Sequence, residues 1–478
     1  MSTSLNAIVP MACVVAAAIA AIVAEAFRAP GERMPIGPLG AIGLIGAAVA
    51  SFLLWDHHAV SFGVVSADNY ALFVTFILIA VGLLSLALAG PVIERQGLPV
   101  GEYYALLLFS LGGMILMAMA TDLIVIFLAL EVLSIGVYVL TGIRRDSPAS
   151  VEAAFKYFLL GAFASAFFLY GIAFTYGVTG STRLDRIGTV IAAQAMSPSP
   201  MQLLAMGLLF VGFAFKVAAV PFHMWTPDAY EGAPPSVTGF MSTGVKAAAF
   251  AAFARVFLSA LAPMHGEWSH VVWVIAAMTM ILGTVVGVAQ TSVKRMLAYS
   301  SIAHSGYLLV ALLSANSSGK SAILFYLATY ALTNLGAFGV IGLLEQRDAA
   351  NDQLTDYAGL WYTQPVLAAL MTVFLLSLGG FPPFGGFIAK WFIFTSAIEA
   401  GQTWLAIIGV LTSVVSVFFY LRVIVQMYMT SSTAPLRLPP VPLVAGVALV
   451  ASAIGVLYLG VLPAQVIDWA AASIGTIF

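Results

Sequence analysis

Long apolar runs separated by short polar loops dominate this chain of 478 residues. A membrane span needs about 20 mostly apolar residues to cross about 30 Å of hydrocarbon. Scanning with that length predicts fourteen transmembrane helices, near residues 5–27, 36–55, 70–92, 103–120, 123–143, 151–178, 201–221, 236–262, 270–290, 296–314, 321–344, 364–400, 403–429 and 440–463. Only 8% of the residues are charged, against roughly 25% in a soluble domain. The chain is therefore predicted to be an all-α integral membrane protein. Its first run, which lacks a basic flank, is interpreted as a span rather than a signal peptide.

The apolar run at 364–400 is too long for one straight crossing, because 37 helical residues would reach about 55 Å. The stretch "GGFPPFGGF" at 379–387 is the predicted break. A hairpin of two spans, which would give fifteen helices, is the alternative. The charge of Lys390 and the loop charges favour one discontinuous helix instead.

Basic loop residues predict the orientation, because lysine and arginine are enriched in cytoplasmic loops. If the first loop is cytoplasmic, nine basic loop residues share that side: Arg28, Arg33, Arg95, Arg144, Arg145, Lys294, Arg295, Arg347 and Arg437. The three on the opposite side are Arg183, Arg186 and Lys320. Both termini are therefore predicted to lie outside the cytoplasm. On the cytoplasmic side, Ser147 is a predicted helix cap, Pro148 fits the first turn, and Glu152 and Lys156 form an i,i+4 pair.

Two blocks of five predicted spans make up the middle of the chain, at 103–262 and 263–430, between flanking segments 1–102 and 431–478. An odd number of helices inverts the second block relative to the first. Inverted repeats with interrupted helices are a transporter design in which ions bind near the midplane. Both blocks carry proline beside a deep lysine, since Pro221 follows Lys216 and Pro382–Pro383 precedes Lys390. We therefore expect two inverted five-helix repeats with discontinuous helices.

Four charged residues lie well inside predicted spans: Glu131, Lys216, Lys246 and Lys390. Each costs about 2.5 to 3.5 kcal/mol on insertion scales. Structural ion pairs or snorkelling side chains are one explanation. However, three lysines share one deep carboxylate, so at most one can be fully paired. Desolvation disfavours the charged form of the others, which can then exchange protons at physiological pH. The set predicts a path for protons.

Pro221 explains the position of Lys216 in part. Its ring has no amide hydrogen and displaces the carbonyl of Val217, which then needs another partner. A protonated Lys216 or a water is the expected donor. The alternative is that Pro221 simply ends the helix at the membrane interface.

His304 lies near the middle of the tenth predicted span, with Ser300, Ser301 and Tyr307 close to it in sequence. Histidine titrates near pH 6.5, so His304 could relay protons between the two blocks. A satisfied packing residue is the alternative. His223, beyond Pro221, is expected to have an interfacial role.

Several chemistries are excluded by what the sequence lacks. Cys13 is the single cysteine, and no pair of midmembrane histidines suits haem, so no iron–sulfur or haem site is expected. The stretch "SANSSGKS" at 314–321 lacks the leading glycine of a P-loop. A net charge of -2 without a basic stripe argues against nucleic acid. The driving energy must therefore come from an ion gradient or from a partner.

Four stretches carry a family resemblance: "LALEVLSIGVYVLTG", "FKVAAVPFHMWTPDAYEGAP", "VKRMLAYSSIAHSGYLLV" and "GGFPPFGGFIAKWFIF". Over about residues 103–430 the chain resembles the antiporter-like subunits of respiratory complex I. The resemblance implies fourteen helices with two inverted five-helix repeats. It also implies that Glu131 is the fifth-helix glutamate paired with Lys216, that Lys246 is the connecting lysine, that His304 is part of the tenth-helix link and that Lys390 is the twelfth-helix lysine.

The resemblance implies a proton-translocating subunit of an enzyme whose NADH oxidation and quinone reduction occur elsewhere. NAD, FMN, iron–sulfur clusters and quinone are then expected in partner subunits, with no cofactor in this chain. Its neighbours would be other membrane-arm subunits and lipids of a bacterial inner membrane. Two alternatives are a subunit of an Mrp-type sodium/proton antiporter and a non-conducting scaffold.

Overall fold

The computed structural model describes residues 5–27, 36–194, 198–346, 351–431 and 440–477. Its helices are α1 Val9–Ala26, α2 Ile36–Leu54, α3 Asn69–Gln96, α4 Val100–Met119, α5 Leu123–Thr141, α6 Pro148–Thr179, α7 Leu184–Ala193, α8 Pro200–Lys216, α9 Trp225–Gly232, α10 Pro235–Phe240, α11 Lys246–Arg255, α12 His265–Val288, α13 Val293–Ser314, α14 Ser317–Leu344, α15 Leu360–Thr363, α16 Pro365–Gly379, α17 Gly385–Glu399, α18 Thr403–Met429, α19 Leu443–Val461 and α20 Ala464–Ile474. Two π-helical turns, Met241–Val245 and Val256–Ala260, extend α10 and α11 into one long helix.

Twelve helices in the described part of the chain are long and apolar enough to cross a membrane. They coincide with twelve of the fourteen predicted spans, which confirms an all-α membrane protein. The two remaining spans, near 201–221 and 364–400, are each built from two shorter helices. Outside the helices lies one small feature that the sequence did not predict, an antiparallel hairpin of β1 Ala59–Ser61 and β2 Val65–Ala67 between α2 and α3.

The first broken span consists of α8 and α9, which together run along α6. Gly171 of α6 packs against the backbone of Leu209 in α8. Further along, Tyr157 of α6 stacks on Trp225 of α9 at 4.1 Å between ring centroids. Gly232, the last residue of α9, packs against Ala149 at the start of α6. The crossing therefore continues past Pro221 to Gly232, and the alternative in which Pro221 ends the helix at the interface is wrong.

The second broken span consists of α16 and α17, which run antiparallel to α14. Contacts along α14 follow in a single order: Gly336 with Phe374, Thr333 with Ser377, Thr329 with Gly385, and Asn316 with Ser396. A hairpin would reverse direction after the break, whereas these contacts advance steadily through it. The segment is therefore one discontinuous crossing, and the fifteen-helix alternative is wrong.

Two ion pairs lie at one end of the bundle. Arg144 bonds Glu345, and Arg295 bonds Glu231, on the side that also holds the start of α6. The predicted start of α6 is confirmed, because Ser147 accepts from the Ser150 amide at 3.4 Å and the Glu152–Lys156 pair is 2.7 Å long. Four basic residues used for the orientation lie outside the described residues: Arg28, Arg33, Arg347 and Arg437.

Candidate functional site, a buried row of lysines

The helix α8 ends at Lys216 because the next residues cannot continue it. Ala218 has a positive φ of 59°, and Pro221 has no amide hydrogen to donate. The carbonyl of Val217 is satisfied by the Ser305 hydroxyl at 2.5 Å. The donor is therefore Ser305, and of the two expected donors, Lys216 and a water, the prediction of Lys216 is wrong. Because Ser305 belongs to α13, this bond connects the break to the second block.

Lys216 is buried and donates to the Ser134 hydroxyl of α5 at 2.7 Å. Glu131, one turn earlier on α5, accepts from the Ser165 hydroxyl of α6 at 2.5 Å. Among the described residues, the lysine and the carboxylate form no direct ion pair, although they are close enough to interact electrostatically. The expected direct pairing of Glu131 with Lys216 is therefore absent, and each side chain is held by its own serine. Tyr138 also lies beside Lys216, with its ring centroid 5.5 Å from Nζ.

Lys246 begins α11 immediately after a π-helical turn, a feature frequent at functional sites. Its Nζ donates to the Ser301 hydroxyl at 2.6 Å and to the Ser301 carbonyl at 2.5 Å. The ring centroid of Tyr330 lies 5.1 Å away. This lysine therefore joins the first block to α13 of the second.

His304 lies one turn beyond Ser301 on α13 and is buried. Nδ1 lies 2.5 Å from the Tyr326 hydroxyl, and Nε2 lies 3.3 Å from the Tyr420 hydroxyl. Its ring is 5.1 Å from that of Tyr330 and 5.5 Å from that of Tyr307. Both nitrogens have hydroxyl partners, so the imidazole can pass a proton from one face to the other.

Lys390 reaches back across the second break. Its Nζ donates to the carbonyls of Leu378 at 2.8 Å and Gly379 at 3.2 Å, at the C-terminal end of α16. It also donates to the Ser413 hydroxyl at 2.8 Å. The Tyr307 ring centroid is 5.2 Å from Nζ. A cation at a helix C-terminus is stabilised by the helix dipole.

Two small cavities accompany the two broken spans, each of about 10 Å³, close to the room that one water needs. One is lined by α5, α6 and α8, including Ser165 and Lys216. The other is lined by α13, α14, α16 and α17, including His304 and Ser377. Counted along the two blocks, these are the second, third and fourth spans of each. Each of the five predicted residues therefore has a hydroxyl partner, and the three lysines and His304 also lie beside aromatic rings.

Sequence reasoning missed the partners of the predicted site residues and one further buried ion pair. Ser134, Ser301 and Ser413 accept from the lysines, and Ser165 donates to Glu131. The hydroxyls of Tyr326 and Tyr420 bond His304, and the ring of Tyr330 lies beside Lys246. The ion pair joins Arg255 of α11 to Asp68, with two hydrogen bonds of 2.8 Å. Arg255 is a further charge inside the predicted spans, and its position in the eighth span was the available signal.

A buried row of lysines in a helical bundle with discontinuous helices is the arrangement of ion-translocating membrane proteins. The sequence profile of the transmembrane family "NADH:quinone oxidoreductase/Mrp antiporter" matches residues 120–416. NADH-quinone oxidoreductase subunit N of Trichlorobacter lovleyi is 44% identical over 468 residues, covering 98% of this chain and 96% of that protein. Subunit N of Chloroflexus aggregans is also 44% identical, covering 97% and 95%. The chain therefore belongs to the family of NADH-quinone oxidoreductase subunit N.

Solved structures show the same fold. A chain of Thermus thermophilus respiratory complex I with bound aureothin has a TM-score of 0.83 and 35% identity, covering 97% of this chain and 99% of its own. A chain of the Mrp complex from a Dietzia species has a TM-score of 0.85 at 22% identity, covering 99% and 98%. At that identity the Mrp likeness concerns the fold alone.

Proposed function

We propose that this chain is a proton-translocating membrane subunit of an NADH-quinone oxidoreductase. The observation that carries the proposal is the row of buried Lys216, Lys246, His304 and Lys390, with the half-buried Glu131 near Lys216, within a subunit N family member. NADH oxidation and quinone reduction belong to partner subunits, which hold NAD, FMN, iron–sulfur clusters and quinone. Neighbouring membrane-arm subunits and lipids surround the chain.

In this mechanism, quinone reduction elsewhere in the complex changes the charge along the membrane arm. The distance between Glu131 and Lys216 then changes, which alters whether Lys216 keeps its proton. The separate serine partners of the two residues support such a change, since each is held without the other. Protons pass through Lys246 and His304 to Lys390, and one proton leaves on the outer side per cycle.

The two blocks at 103–262 and 263–430 are proposed to be inverted repeats. Support comes from the broken span that is fourth in each block and from the small cavity beside it. We further propose a bacterial inner membrane as the location, with both termini on the periplasmic side. The grouping of Arg144, Arg145 and Lys294 around one polar cavity supports this orientation.

The proposal is tested with Lys216→Ala in membrane vesicles that contain the complete complex. We expect loss of both coupled quinone reduction and proton pumping per NADH, because the variant removes a proton carrier. Assembly and electron transfer to an artificial acceptor should remain normal. Lys156→Ala is a matched control, because Lys156 is a surface lysine paired with Glu152 and Asp228.

A non-conducting scaffold predicts the opposite result: assembly would change while the proton stoichiometry of the assembled complex stayed normal. An Mrp-type antiporter subunit predicts sodium/proton exchange without NADH. Normal rate and stoichiometry in Lys216→Ala would contradict the proposed function at its first lysine.

A further inference from the structure

An apolar groove lies at the end of the bundle that carries the β-hairpin, which is the periplasmic end in the proposed orientation. Its volume is about 560 Å³, within the range of about 300 to 1,000 Å³ that small-molecule pockets occupy. We call it the outer groove. It is lined by residues of α3, α14, α19 and α20 and by the end of α2. Among the described residues that line it, none is charged. None of these helices carries a residue of the lysine row, so the outer groove is a separate feature.

The outer groove is open on the side that faces the membrane. Three large side chains of its rim are well exposed: Phe52 at 74%, Tyr458 at 40% and Trp469 at 51%. Its floor is buried, as at Val81 and Leu459. Because α2, α3, α14 and α19 are all long and apolar enough to cross the membrane, the open side faces hydrocarbon. The contents of the groove must therefore be apolar.

The length of the outer groove matches one leaflet of a bilayer. On α3 its lining extends from Phe73 to Leu84, which is about 16 Å along the helix axis. Half of the hydrocarbon core is about 15 Å thick. A transmembrane helix of a partner would need a groove of about twice this length, whereas the acyl chain of a lipid occupies a single leaflet. The half-length groove therefore favours a lipid chain over a protein helix.

Aromatic side chains mark the end of the groove that reaches the membrane surface. Trp55 follows α2 directly, and its ring centroid lies 6.1 Å from that of Phe76. Trp469 of α20 lines the same groove, and the Tyr458 hydroxyl donates to Gln465 at 3.1 Å, which joins α19 to α20. Tryptophan and tyrosine are enriched at the level of lipid headgroups. A lipid in the groove therefore has its headgroup beside the two tryptophans.

The charges at this end discriminate between headgroups. Asp56 and Asp468 are exposed, and each is adjacent in the chain to one of the two tryptophans. The stretches 37–94 and 438–478, which form most of the groove, contain no lysine or arginine. In α14 the single basic residue, Lys320, lies two turns before the part that lines the groove. Carboxylates attract an ammonium group and repel a headgroup of net negative charge. The outer groove is thus complementary to a lipid with a free amine.

We propose that the outer groove is a lipid-binding site for phosphatidylethanolamine, a zwitterionic phospholipid whose headgroup carries a free amine. One acyl chain lies along α3 between the rim and the floor. The ammonium group lies against Asp56 and Asp468, and the indole N–H groups of Trp55 and Trp469 are donors for the phosphate. The site is distinct from the lysine row, so the inference does not depend on proton translocation.

The test uses phosphatidylethanolamine with a photoactivatable diazirine on its acyl chain, in vesicles that contain the complete complex. After illumination, mass spectrometry locates the labelled residues. We expect label on Phe76 and Tyr458 that saturates as the probe is increased, because the groove holds one chain. Label on the lipid-facing side of α1 should instead rise in proportion to the probe. Unlabelled phosphatidylethanolamine should displace the saturable label better than phosphatidylglycerol by about two- to fivefold, the range of one or two exposed ion pairs.

Two sets of variants make the test specific to the outer groove. Ala80→Phe fills the groove from α3 and should abolish the saturable label. Ala16→Phe, the same change at an exposed position of α1, should leave that label unchanged. Asp56→Asn combined with Asp468→Asn should keep the label but remove the preference for phosphatidylethanolamine over phosphatidylglycerol, because it removes both carboxylates.

Label that does not saturate, or that Ala80→Phe leaves unchanged, would overturn the inference, because bulk lipid gives the same result. Absence of label would also overturn it and would indicate that a partner subunit covers the groove. Displacement by ubiquinone but not by unlabelled phosphatidylethanolamine would assign the groove to a quinone tail. If the Ala80→Phe complex does not assemble, the double aspartate variant decides, since it leaves the apolar lining intact. An unchanged headgroup preference in that variant would reject the site.

Discussion

Lys216 and Lys390 both lie beside the break in a discontinuous helix, yet different groups stabilise their charges. Lys216 ends the first half of its broken span and donates to a serine one turn from a carboxylate. Lys390 lies in the second half of its span and donates to two backbone carbonyls at the end of the first half. The first lysine therefore has a side-chain hydroxyl as its partner and a nearby carboxylate whose charge can change. The second has a dipole that is part of the helix itself.

This difference suggests distinct roles for two similar positions. A change in the charge or position of the carboxylate near Lys216 alters how strongly this lysine holds its proton. Lys216 is therefore suited to a regulatory role. The carbonyls of Leu378 and Gly379 cannot change their charge, so Lys390 is suited to receive and release protons that arrive from His304. The comparison predicts that the two lysines respond differently when their partners are changed.

The largest effect is expected for Lys390→Arg. Arginine preserves the cation at the end of α16 but is not deprotonated in proteins, so assembly should remain normal while pumping falls by about a hundredfold. Proton pumping per NADH in vesicles measures this effect. Lys320→Arg, in the first turn of α14 and away from the row, serves as the matched control. Normal pumping in Lys390→Arg would mean that this lysine contributes only its charge.

An intermediate effect is expected for Glu131→Gln. The amide removes the negative charge near Lys216 but can still bond Ser165, and one charge interaction at moderate range is worth on the order of 1 to 2 kcal/mol. Pumping should therefore slow by about tenfold. Glu152→Gln, which changes an exposed carboxylate, is the control and should alter stability by less than about 1 kcal/mol. If Glu131→Gln and Glu152→Gln changed the pumping rate equally, the charge of Glu131 would have no special role at Lys216.

The smallest effect separates the two serines. Ser134→Ala removes the hydrogen bond of Lys216, worth about 1.5 to 3 kcal/mol for a charged group. Ser413→Ala should cost less, since Lys390 keeps two carbonyl acceptors. We expect Ser134→Ala to slow pumping severalfold and Ser413→Ala by about twofold or less. Thermal unfolding of the purified complex checks that both variants are folded. A larger loss of pumping in Ser413→Ala than in Ser134→Ala would contradict the expectation that Lys216 depends more on its serine than Lys390 does.

Much of the fold could be predicted because each apolar run is local information. The break at 379–387 was predicted from its glycines and prolines, and the structure places a gap there between α16 and α17. The continuation of the first broken span to Gly232 was missed, because α9 contains Asp228 and Glu231 and does not have the apolar length of a span. Its burial depends on packing against α6, where Tyr157 precedes its stacking partner Trp225 by 68 residues in the chain.

The site was predictable in its charges but not in its contacts. Glu131, Lys216, Lys246 and Lys390 stood out because isolated charges in apolar runs are costly. The direct Glu131–Lys216 pair was not found, since Ser134 and Ser165 compete for the two side chains. Which serine faces which lysine depends on how each helix is rotated about its own axis. That rotation is set by packing between helices and cannot be predicted from the sequence of one helix.

By itself, the sequence determined that the chain spans a membrane, where most of its spans lie and that Lys216, Lys246 and Lys390 lie inside them. These follow from the free energy of placing each residue in hydrocarbon, a property of local composition. The tertiary structure alone decided that Lys294 is buried beside a polar cavity and that Lys216 and Lys390 have different partners. Those properties depend on helices distant in the chain packing closely, as where Gly171 meets Leu209 and Gly336 meets Phe374.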